Sequence, residues 1–396
     1  MPSARPRRGM TTIGALFSVT VAAGLLGLAL EFALLHHVRT QLQAGTNAAA
    51  LAGAMELIDE DVLYPGRLAA LGSQAAADDV AAASQAALAY GQANIAGGMR
   101  MFSAGAAQQP PPVTAGWLAE PLDLSSPLVP WPQAGAANAL VVHAERSDRW
   151  GNALPLWIGP LLAVAEGEVE ATATACVDQR VHGFRPVQGS VIPVVPVAAL
   201  GWGGEDAWTV QAAAAAQAGV NDRFAVNYAN GAVSAGADGI PEILLCTPKV
   251  SGGQELLPGN LGCLRLHAST NAQDFSRQFL DGPVAADLAA LGGELAVPPG
   301  GALVVGGASE FEALLVGLAG QVLGVRRAWP LYRSRQTAGG EAFELAGFAA
   351  GCIVDVYVED GRTCLVVQPA VLVSRTALVH PAAGWNPWLG RLSLVR

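Results

Sequence analysis

Residues 9–30 (GMTTIGALFSVTVAAGLLGLAL) carry no charge, and this run constrains the architecture of the chain more than any other feature. A helix rises 1.5 Å per residue. These 22 residues therefore match the roughly 20 needed to cross the hydrocarbon core of a bilayer. Arg5, Arg7 and Arg8 precede the run, and under the positive-inside rule they hold the N-terminus in the cytoplasm. A cleaved signal peptide has a shorter apolar core and a small-residue cleavage site. Here the run flows into Glu31-Phe32-Ala33-Leu34-Leu35-His36-His37 without a turn residue, which favours an uncleaved signal-anchor. A buried core helix is the weaker reading, because the run has no polar face and a basic cluster at one end. Inside it Gly14, Ser18 and Ala22 stand four apart, a row that permits close helix–helix approach in lipid.

Helical character continues past the span. Ala44, Ala48 and Ala52 repeat every four residues among good helix formers, so one long helix is expected over about 11–57, until Tyr64-Pro65-Gly66 breaks it. A second helix, rich in Ala and Gln, is expected over 68–94. Seven prolines between 97 and 132, among them Pro110-Pro111-Pro112, read as an irregular connection.

Strands are expected at 139–146 and at 169–177 (VEATATACV), where small or apolar residues alternate with Glu and Thr. Later candidates are 240–246, 261–267, 301–305, 351–359, 362–368 and 391–396, with helices near 275–280 and 311–323. Asp360-Gly361 between two apolar runs supplies the backbone angles of a tight hairpin. It would set Tyr357 opposite Cys364, leaving Cys352 on the other face.

The fold class expected is α+β, a long N-terminal helix followed by an antiparallel-sheet-rich exported domain. The chain divides into a cytoplasmic basic tail (1–9), a transmembrane anchor (10–35), an exported helical region (36–96), a Pro-rich connection (97–135) and an exported β-rich α+β domain (136–396).

Net charge is −10 without long charged blocks. A basic face that displaces phosphate counterions is missing, so no nucleic-acid partner is expected. The five cysteines lack any CxxC pair. The alternatives are buried free cysteines acting as small apolar residues and one or two disulfides, for which Cys246 and Cys263, on adjacent candidate strands, are the best pair.

Motifs of chemistry are not found. There is no phosphate-binding GxxxxGK[ST] loop and no HExxH helix, and Ala232-Val233-Ser234-Ala235-Gly236 lacks the first glycine of a nucleophile elbow. Asp238 and Glu242 are too few oxygens for an EF-hand calcium loop. The arginines at 326, 327, 333 and 335 around Trp329-Pro330-Leu331-Tyr332, and Trp385-Asn386-Pro387-Trp388, are candidate contact patches or core closures. No catalytic residue, cofactor site or metal site is assigned, and the chain reads as a non-enzyme.

Arg7-Arg8-Gly9, the apolar run, Glu31, then Val38-Arg39-Thr40-Gln41-Leu42-Gln43 and Asn47-Ala48-Ala49-Ala50-Leu51-Ala52-Gly53-Ala54 form a block that resembles the N-terminal segment of TadG-like proteins of tight-adherence (Flp-type) pilus assembly. Glu31 stands where that family usually has Asp, and Asn47 where an Asp is common. Further landmarks of the resemblance are 149–157 (RWGNALPLW), 182–186 (HGFRP), 257–262 (LPGNLG) and 329–332 (WPLY). Some relatives carry a von Willebrand A-type metal site. The nearest string, Asp123-Leu124-Ser125-Ser126-Pro127, has Pro127 in place of the second required serine.

The resemblance implies a component of pilus assembly or envelope attachment in the inner membrane, with its bulk in the periplasm. Its partners would be inner-membrane lipid and other pilus-assembly or envelope proteins. The competing readings are a membrane-anchored exported hydrolase and a pilin-like structural subunit. Against the latter, cutting after Gly9 leaves no glutamate at the fifth mature position.

Overall fold

The computed structural model describes residues 8–58, 60–64, 73–102, 112–123, 125–133, 137–162, 164–214, 222–251, 254–336 and 340–395. Helix α1 runs unbroken over Arg8–Met55, 48 residues, and α2 over Ser73–Ala93. Both match the expected helices: no proline falls inside either, and their scattered glycines are outweighed by good helix formers.

A six-stranded sheet carries the C-terminal half of α1. Its order is Leu372–Val373, Leu389–Leu394, Val169–Asp178, Ala139–Arg146, Val113–Trp117, Val129–Pro130. Strand Val169–Asp178 turns Val169, Ala171, Ala173, Ala175 and Val177 inward, as its period-2 sequence requires. Those residues are small, and so the helix can lie close on them. Val38, Leu42, Ala49, Ala50 and Ala54 of α1 form one buried cluster with them and with Leu140, Val142 and Ala144.

The row of α1 that packs most tightly is Gly45, Ala49 and Gly53. It lies one residue on from the Ala44, Ala48, Ala52 repeat, whose first member is exposed. A Cβ on Gly53 would stand 2.3 Å from Leu140 Cδ2 and 2.6 Å from the Ala83 carbonyl oxygen of α2. On α2 the facing row is Ala83 and Ala87, both fully buried.

The second sheet has seven strands. Its long strand Ala342–Glu359 pairs with Arg326–Gln336 over most of its length. Its other edge is shared between Leu303–Gly307 and Arg362–Pro369. Leu261–Arg265 and Val197–Leu200 complete a closed ring, the last joining Arg326–Gln336 in parallel. Alternate residues of these strands feed two cores. Ala198, Leu264, Val305, Tyr332, Phe343 and Leu345 line one, while Val197, Ala199, Cys263, Trp329 and Leu331 line the other beneath helix Ala272–Asp281. The architecture is thus α+β with mainly antiparallel sheets, as read from the sequence.

The hairpin at Asp360-Gly361 forms, with both residues at positive φ (51° and 79°) and Tyr357 opposite Cys364. Two expectations fail. The segment expected as an irregular connection contributes strands Val113–Trp117 and Val129–Pro130 to the first sheet. The disulfide joins Cys246 to Cys364, not to Cys263. Strand Ile243–Cys246 lies against Arg362–Pro369 with Cys246 directly opposite Cys364. Strand Leu261–Arg265 is near in sequence, but three strands lie between the two in the sheet order, and Cys263 is a free, buried thiol.

Candidate functional site

The site the sequence singles out is α1 and its junction with the folded domain. From Ile13 to Leu26 the helix packs against none of the described core. Ile13, Leu16, Phe17, Val19, Leu25 and Leu26 are all exposed, Phe17 to 70 %. The most apolar 18-residue window has a mean hydropathy of 2.2 and is 0 % buried. A stretch of that length and composition fits a membrane span. Gly14 has open space around it, and Ser18 turns its hydroxyl back to the Gly14 carbonyl at 3.0 Å. Ala22 is likewise exposed. Arg5 and Arg7 lie outside the described residues, and the Arg8 side chain is not described.

At residue 31 the environment changes. Glu31 is buried at 7 % exposure, and its Oε1 accepts the backbone amides of Ile158 and, at 3.4 Å, Gly159. Two amides thus compensate a carboxylate that would be costly to desolvate alone. Beyond it, polar residues of α1 dock onto the domain. Gln41 Oε1 accepts the Gly97 amide at 2.9 Å. Gln43 donates to the Thr172 carbonyl at 3.0 Å and to Asn47 at 2.9 Å. Arg146 reaches up from the sheet. Its Nη1 donates to the Ala96 carbonyl at 2.7 Å and its Nε to the Asn152 carbonyl at 2.8 Å. Burial lowers its pKa, yet these carbonyl acceptors hold it in place.

So the residues that carried the sequence resemblance divide in two. The apolar half stands free, and the half from Glu31 to Ala54 is the keel on which the first sheet is laid. Residues 9–56 match the model of the Tad family, described as Flp pilus-assembly TadE/G-like. The likeness to that family is confined to this part of the chain. The searches of curated proteins and of solved structures found no match. The matched residues correspond closely to α1, so the match covers the apolar helix and its keel and none of the strands.

Elsewhere the candidate patches are tied up internally. Arg326 pairs with Glu60 at 2.7 Å and stacks 4.7 Å over Tyr228. Arg327 donates to the carbonyls of Leu280 and Asp281, Arg333 pairs with Glu344 at 2.5 Å, and Arg335 with Glu341 at 2.7 Å and Glu255 at 3.1 Å. Trp388 packs into the core, whereas Trp385 stays 60 % exposed with its Nε1 on Gln179. Asp238 accepts from the Ile240 amide and Gln368, and Glu242 from the amides of Arg223 and Phe224. Both carboxylates shape a turn. No cluster of metal-ligating side chains occurs among the described residues.

A cleft of about 700 Å3 opens beside Trp202, Trp385 and Arg333. Among the described residues no Asp, Glu, Lys or Cys lines it, and its His182 holds Nδ1 3.1 Å from the Val297 carbonyl.

Sequence reasoning missed one titratable group, Glu312. Burial, reinforced by Glu341 and opposed by Arg335, pushes its carboxyl up to about 7 from an ordinary 4.5. Its Oε1 has no hydrogen-bond partner. Between those two pH values the folded chain keeps a proton that the unfolded chain releases. Stability therefore falls as pH rises through this window and levels off above about 7. Glu312→Gln should remove that slope. Thermal melts in detergent, taken from pH 5 to pH 8, should show the variant gaining on the native protein as pH rises. A constant difference would refute the assignment.

Proposed function

We propose that the chain is a single-pass, non-enzymatic, membrane-anchored component of Flp-type pilus assembly or envelope attachment. Its N-terminus is cytoplasmic and its sheets are exported to the periplasm. The observation that carries the reading is the division of one continuous helix. Its first half is apolar and unburied, and its second half is built into the folded domain. A partner-free apolar face of that size suits lipid and not water, and the Tad match adds the link to pilus assembly. The action proposed is placement and contact. A hydrolase reading draws little support from the cleft, whose lining offers no carboxylate to pair with His182 for acid–base work.

The reading is tested by a C-terminal fusion to a reporter active only outside the cytoplasm, with parallel fractionation. Reporter activity together with retention in the membrane through carbonate washing is expected. A C-terminus inside the cell, or protein released by carbonate, would overturn it.

A further inference from the structure

Residues 151–165 (GNALPLWIGPLLAVA) are uncharged, and the described residues among them form a finger closed at its base. Strand Leu154–Pro155 pairs with Glu166–Gly167, Leu156 N donates to the Ala165 carbonyl at 3.0 Å, and Val164 N to the Gly159 carbonyl at 2.9 Å. The finger lies along α1 at three levels, each one helical turn apart. Leu35 meets its base, since a Cβ on Gly167 would be 2.8 Å from Leu35 Cδ2. Glu31 caps the amides of Ile158 and Gly159. Gly27 receives Ile158, for a Cβ there would be 1.7 Å from Ile158 Cδ1. Gly27 belongs to the uncharged 9–30 run. The tip of the finger therefore stands about 6 Å, four residues, below Glu31 toward the lipid end of the helix.

At that level the tip leaves its largest apolar group outward. Trp157 is 80 % exposed, and Val164 is 51 % exposed. The first polar side chains of α1 past Glu31, His36 and His37, come more than a turn later. A tryptophan at the boundary between acyl chains and headgroups is in its preferred environment, and short apolar elements lie in this layer without spanning it.

We infer that the finger is a second membrane contact, monotopic, with Trp157 and Val164 seated at the headgroup–acyl boundary of the leaflet facing the folded domain. The occupant of this apolar tip is phospholipid. The argument is continuity with the anchor: the contacts at Gly27 and Glu31 fix the depth of the tip relative to the span. The inference rests on the anchor reading above and adds a fixed height for the domain over the bilayer.

The test uses the full-length chain in phosphatidylcholine–phosphatidylglycerol vesicles, with Trp157→Cys or Val164→Cys labelled by an environment-sensitive NBD probe. The native cysteines are disulfide-bonded or buried, so the folded native protein gives the labelling background. Val358→Cys, exposed beside the Asp360-Gly361 hairpin, is the aqueous reference. At 157 and 164 the emission should shift to the blue and be quenched more strongly by a nitroxide high on the acyl chain than by one near its end. The reference should be untouched. Aqueous emission at both tip positions in protein that floats with the vesicles would overturn the finger and leave the anchor standing. A blue shift that no nitroxide lipid quenches would mean a protein occupant and also overturn it. Protein that does not float would overturn both readings.

Discussion

Val19→Asp combined with Ala23→Asp should strip the protein of carbonate-resistant membrane association. Each aspartate near the middle of a span costs about 2.5–3.5 kcal/mol on insertion scales, so the pair removes most of the driving force of a span of this length. Both positions are exposed and touch nothing in the folded part, so the domain itself should be unharmed. This separates two meanings of an apolar helix. If residues 13–26 were packed in a core, the same changes would leave buried, unpaired charges and unfold the chain. Immunoblots of carbonate supernatant and pellet, with limited proteolysis of the released protein, read both effects. Native-level retention in the pellet would sink the span.

The second large effect is on stability. Cys246→Ser with Cys364→Ser should cost about 4–5 kcal/mol in the chain-entropy account of a cross-link, because the bridge spans 118 residues. It should show as a lowered denaturation midpoint. Alkylation of the unfolded, unreduced chain should find three thiols, Cys176, Cys263 and Cys352, and reduction should release the other two. Peptide mapping that returns a Cys246–Cys263 bridge would contradict the strand order itself. A disulfide of this kind also fits an oxidising compartment outside the cytoplasm.

How far these features could be read from sequence depended on the range of the interactions that fix them. The helix over residues 8–55 and the Asp360-Gly361 hairpin are set by neighbours in the chain, and the residues state them directly. Strands Ala139–Arg146 and Val169–Asp178 were visible because their alternation persists for eight residues or more. Val129–Pro130 is two residues long, too short for any period to register among prolines. The Ala44, Ala48, Ala52 repeat marked α1 as helical without marking its packed face, because alanine and glycine occupy several faces of that helix alike. Cys246 was given the wrong partner for a different reason. Sequence neighbours suggest adjacent strands, but here three strands intervene by crossovers. The finger carried a signal in its uncharged 15-residue sequence, yet only its contact with Gly27 and Glu31 gives that signal a depth.

Because the apolar half of α1 continues into the domain with no break, its two ends share one axis and one clock angle. Successive residues turn about 100° around a helix. Nine residues separate Ser18 from Gly27, which places them about 180° apart. The Gly14–Ser18–Ala22 row thus looks away from the side where the finger descends. A neighbouring helix seated on that row would lie clear of the finger. Any twist it imposed within the bilayer would be delivered to the sheets as a rigid rotation, as through a drive shaft without a universal joint.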